Sequence, residues 1–166
     1  MKKMLVLLTL GACAGSHAAD GQPYRDQVAK MHCGAASYTL KSTCKSSGDP
    51  MELNDCKPQT LAIDNAGARR STTLPELPRE LVAEVRASRG GLQDLFVVAW
   101  GCSKAGGAPM ATLHYSFGGG SGEHSEAWSH YDKAGKLFVK EPKLTPDEVK
   151  AVERSFKKVP SIMPGS

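Results

Sequence analysis

The chain has 166 residues and a formal charge of +4, with 40% hydrophobic and 6% aromatic residues. That length suits one ordinary domain with a real apolar core. The charge is too small to indicate a nucleic-acid binder, and no stretch reaches the roughly 20 apolar residues of a membrane-spanning helix.

Residues 1–19 read as an export signal. Lys2 and Lys3 precede an apolar run from Met4 to about Ala14, and small residues lead to Ala18 and Ala19. Cleavage after Ala19 would leave one domain, 20–166, of 147 residues; losing Lys2 and Lys3 brings the +4 down to about +2. Leu10-Gly11-Ala12-Cys13 resembles a bacterial lipoprotein processing site, so a lipid anchor through Cys13 is the alternative outcome. Against it, the twelve residues before Cys13 are few for an export signal. Either route predicts a protein outside the cytoplasm. The first is periplasmic or secreted; the second is an inner- or outer-membrane lipoprotein.

Asp20 to about Lys30 is polar and is read as a short helix or an ordered arm. Ala36 to Cys44 is β-prone, and Gly48 and Pro50 break it. Gln59 to Asp64 is a second strand, and Asn65-Ala66-Gly67 is a turn from which Ala68 to Leu74 returns. After Pro75 and Pro78, the stripe Leu81, Val82, Val85 marks a helix that Gly90 stops. Its charged residues, Glu80 and Glu84 among them, read as a solvated outer face.

Leu95 to Trp100 is continuously apolar, which predicts a central strand covered on both faces. Met110–Phe117, His124–Tyr131 and Lys136–Lys140 read as three more strands, the last two joined by a tight turn at 132–135. Short connections between consecutive strands favour an antiparallel meander. Thr145, Pro146 and Glu148 form an N-cap and capping box. The helix they open is predicted to bury Val149, Val152, Phe156 and Val159, with Lys157 and Lys158 in its last turn before Pro160. The expected fold is therefore α+β: an antiparallel meander sheet of about four to six strands, one or two packed helices including a C-terminal one, and disulfide staples.

Without Cys13 the cysteines are even in number: Cys33, Cys44, Cys56 and Cys102. In an exported chain this reads as two disulfides. Four cysteines allow three connectivities. The expected one is Cys33–Cys44, closing a local loop, with Cys56–Cys102 tying an early segment to the apolar strand. No Cys-x-x-Cys occurs, so neither a redox pair nor a zinc ribbon is signalled.

The stretch His114–Tyr131 gathers the chemistry-bearing side chains. Its glycines are not a phosphate cradle: the Walker Lys-Ser/Thr is missing, and Glu123 stands where G-x-G-x-x-G needs glycine. Glu123 also spoils a nucleophile elbow around Ser121. His114, His124 and His130, with Glu123 or Glu126, are zinc or copper ligand types, but H-E-x-x-H is absent. On a regular strand, His124, Glu126, Trp128 and His130 share one face. A hairpin symmetric about Gly120-Ser121 would set His114 opposite Ala127, on the other face; a one-residue slip or bulge would bring it back.

The expected site is thus a contact surface of His114, Glu123, His124, Glu126, Trp128 and His130. Trp128 is an anchor for a partner if exposed and part of the core if buried. The expected function is a small exported protein-binding module without a cofactor, such as an inhibitor or immunity-type protein. Its partner would be a protein of the cell envelope. A periplasmic metal-binding protein, with His124 and His130 as weak candidate ligands, is one alternative. A cell-wall hydrolase using carboxylates such as Glu123 and Glu126 is the other.

Overall fold

The computed structural model describes residues 23–49, 52–117 and 125–159. Residues 1–19, read above as an export signal, with Cys13, the Gly118–Gly122 loop, Glu123 and His124, lie outside the described residues.

The chain builds two antiparallel sheets and two helices. The first sheet holds β1 (Arg25–Cys33), β2 (Ala36–Lys45), β4 (Thr60–Asn65) and β5 (Ala68–Thr73) in that order, with the short β3 (Asp55–Cys56) also on β2. The second runs β8 (Glu126–Tyr131), β7 (Ala108–Ser116), β6 (Phe96–Ala105), β9 (Lys157–Lys158). Helix α1 (Arg79–Arg89) connects the sheets, and α2 (Pro146–Ser155) follows β8.

Most consecutive strands pair antiparallel, with β9 leaving the meander order to pair with β6, but they do so in two layers rather than one sheet. The cause lies at Pro75 and Pro78, where the chain leaves β5 and α1 carries it across. Each layer has an apolar face: Tyr38, Leu40, Leu61 and Ile63 on the first, Trp100, Leu113, Tyr115 and Tyr131 on the second. Packed together they form one core, with the rings of Tyr38 and Tyr131 meeting edge to face at 6.2 Å.

Strand β6 ties the layers together through a hydrogen-bonded side chain and a disulfide. A bulge at Val98 lets both Val97 and Trp100 stand opposite core residues of β7, Tyr115 and Leu113. At that bulge the buried Gln59 replaces a missing strand partner. Its Oε1 accepts from the Val97 amide at 2.7 Å, and its Nε2 donates to the Val97 carbonyl at 3.3 Å and to Ser42 Oγ at 2.9 Å. Beyond the bulge, Cys102 faces the first sheet and Gly101 the opposite way. A Cβ on Gly101 would collide with Ser155 Oγ, so α2 packs closely on the outer face of the second sheet.

Four local expectations are corrected. The polar arm is a strand: β1 pairs with β2 along nine residues and turns Ala29, Met31 and Cys33 inward. Lys136–Lys140 is not a strand but a single bridge, Leu137 to Tyr131, after which the chain departs with Val139 72% exposed. Helix α2 keeps its capping box but ends at Ser155. Lys157 and Lys158 pair with Trp100 and Ala99 as β9, and Val159 donates to the Val98 carbonyl at 2.8 Å. Pro160 disfavours helix at Val159, so the free edge of β6 takes these residues in extended form. Val149, expected inside, is 41% exposed.

The disulfides use the four expected cysteines with different partners. They are Cys33–Cys102 and Cys44–Cys56. The β1–β2 hairpin sets Cys33 against Ala36 and places Cys44 against Cys56 of β3, so a Cys33–Cys44 bond would have to span the length of β2. The Cys33–Cys102 bridge joins the two sheets across a sequence separation of 69 residues; the other closes 12. Tryptic mapping without reductant should recover both pairs, and a Cys33–Cys44 peptide would contradict this fold. In urea, removing Cys33 and Cys102 together should cost about 4 kcal/mol, against about 3 kcal/mol for Cys44 and Cys56.

Candidate functional site

The β7–β8 register decides which side chains of the 114–131 stretch meet. His114 stands opposite Trp128, not Ala127. This is the one-residue slip from the symmetric hairpin, and it puts His114 on the face of Glu126, Trp128 and His130. The two rings stack with centroids 3.9 Å apart and planes within 6°. Phe156, just past α2, adds a third ring, 5.6 Å from Trp128 and 6.2 Å from His114. Trp128 is therefore half-buried: one side is packed in this cluster while part of it stays accessible.

His114 Nε2 lies 3.3 Å from Glu126 Oε2, close enough for an ion pair but out of line for a hydrogen bond. Burial pulls the imidazole below its ordinary pKa, and the Glu126 carboxylate opposes that shift. His130 is more enclosed, at 7% exposure, with Nδ1 3.0 Å from Thr112 Oγ1. Burial lowers it to about 4, so it is neutral near pH 7 and its Nδ1 can accept the Thr112 hydroxyl. Next along β8, Tyr131 donates to Glu76 Oε2 at 3.0 Å, and Arg70 pairs with the same carboxylate. Burial raises the Tyr131 phenol well above its usual range. This network pins one end of β8.

The other feature is an edge. Among the described residues β7 is the one strand paired with β8, apart from the single Tyr131–Leu137 bridge, and Phe117 donates to the Ser125 carbonyl at 3.1 Å. Antiparallel alternation then turns the backbone groups of Ala127, Ser129 and Tyr131 toward β7 and those of Glu126, Trp128 and His130 away from it. His130 spends its carbonyl on the Phe138 amide at 2.8 Å. The outward groups of Glu126 and Trp128 have no backbone partner among the described residues. A groove of about 220 Å³ runs here, touching both Ala127 and Trp128. Those side chains leave opposite faces of the strand, so the groove lies along its edge. Helix α1 lines it with Glu80, Leu81 and Glu84, and the segment after the Leu137 bridge with Val139, Lys140 and Glu141.

The structure thus unites His114, Glu126 and Trp128, sets His130 beside them, and leaves Glu123 and His124 outside the described residues. Among the described residues no three His, Cys, Asp or Glu side chains converge as a metal site. Phe156 and the α1 wall were missed from sequence. Glu80 and Glu84 were visible as a pair four apart on one helix face, but nothing local said that this face would look at β8. No family model matches the chain, and neither a curated protein nor a solved structure does.

The buried His130 makes stability fall in acid. Its folded pKa is about 4 against roughly 6.5 unfolded, so the unfolded state binds more protons between those values. Stability is full above about pH 6.5 and is lost as the pH falls toward 4, by on the order of 3 kcal/mol. Urea titrations across this window should record that loss. They should find most of it gone in His130→Asn, whose carbonyl can still accept the Thr112 hydroxyl.

Proposed function

We propose that this chain is an exported protein-binding module that holds its partner at the β8 edge, with Trp128 as the anchor. The carrying observation is a half-buried tryptophan on an edge strand whose outward backbone groups open into a groove. Such an edge can accept another chain's backbone, and an indole held by neighbouring rings loses little freedom on contact. Two disulfides suit an oxidising compartment, and no described helix is long and apolar enough to cross a membrane. Together with the export signal read at residues 1–19, this supports a periplasmic site of action on an envelope enzyme or toxin, in the manner of an inhibitor or immunity protein.

The test is capture of a partner from envelope extract by the mature chain, followed by affinity measurement with purified components. Trp128→Ala should weaken binding by at least about 2 kcal/mol, roughly 30-fold. Its melting temperature should drop only modestly, because the indole gives up a stack worth about 1 kcal/mol rather than a core position. Unaltered affinity in the folded variant would remove the proposed site.

A further inference from the structure

We infer that the β8 groove takes a basic, extended segment of its partner, added as a strand to the β8 edge with cations facing α1. This rests on the protein-binding reading above and goes further by naming the chemistry of the bound segment.

The charge on the walls selects it. Among the described residues, Glu80, Glu84, Glu126 and Glu141 line the groove with Lys140 as the one cation, so their formal charge is about −3, in a chain whose total is +4. Three carboxylates elsewhere have cationic partners: Asp64 has Arg69, Glu76 has Arg70 and Asp55 has Lys45. Among the described residues none of Glu80, Glu84 and Glu141 sits in an ion pair. Glu80 and Glu84 also repel each other, since like charges four apart on a helix are destabilising. An incoming cation would relieve that repulsion.

The spacing fits a strand. Four residues of helix rise about 6 Å, and two residues of strand about 6.8 Å. Lysine or arginine at alternate positions of an added strand would therefore reach Glu80 and Glu84 in turn. The backbone between them would meet the outward groups of Glu126 and Trp128. Leu81 and Trp128 offer apolar surface to the intervening side chains.

The probes are three synthetic peptides of about eight residues, an ordinary strand length, with Lys, Gln or Glu at alternate positions and Val or Thr between. Each is titrated into the oxidised mature chain while its amide resonances are followed. The Lys peptide should bind, shift the Glu126 and Trp128 amides, and weaken as salt rises from about 50 to 200 mM. Glu80→Gln with Glu84→Gln should weaken it at least about fivefold, as loss of two surface pairs implies. That double variant should melt close to the parent, because the repulsion it removes offsets the loss of Glu80 from the first turn of α1.

If the Gln peptide binds as tightly and moves the same amides, the basic preference is wrong while docking at β8 stands. If the Lys peptide binds without moving those amides, or does not bind, the strand-addition inference is overturned. Failure of the broader reading is seen separately, in the affinity of Trp128→Ala for the captured partner.

Discussion

The structure depends on the clasp between Gln59 and Val97. An extra residue in β6 would normally leave backbone groups without a partner in the interior, at a cost of about 1–3 kcal/mol each. The Gln59 amide meets the Val97 donor and acceptor, so the bulge can exist inside the core. The bulge in turn sets the phase of everything beyond it. Trp100 and Cys102 face the first sheet, where Cys33 awaits; Ala99 and Gly101 face α2.

That phase passes sideways through the second sheet. Ala99 stands opposite His114, and His114 opposite Trp128. The side of the sheet on which Trp128 emerges thus follows from where the bulge falls. Phe156 reaches the same ring cluster because α2 lies on that face and the chain then turns back to pair with β6. An apolar strand, a buried amide and a short terminal strand together place one indole beside a strand edge.

Much of this could be read locally. The capping box of α2, the α1 stripe, the strands around the 65–67 turn and the turn at 132–135 itself each depend on neighbours in sequence. The shared face of Glu126, Trp128 and His130 needs only the alternation of a strand. What escaped reading depends on distant partners. Whether His114 joined the site turned on a single residue of register across a glycine-rich connection. The disulfide partners depended on which sheet each strand entered. β1 looked like a polar arm because its inward residues include the small Ala29 while the larger Val28 points outward. The approach of Glu80 and Glu84 to β8 has no local sign at all, since α1 and β8 are brought together only by the packing of two sheets.

The central claim is that β8 is a true edge, in a register that turns Glu126 and Trp128 outward. Native-state amide hydrogen exchange along β8 tests it most directly. Ala127, Ser129 and Tyr131 should exchange slowly, because their amides bond to β7, whereas Glu126 and Trp128 should exchange fast. Slow exchange at Trp128 together with fast exchange at Ala127 and Ser129 would mean that the register is shifted, and would contradict the account.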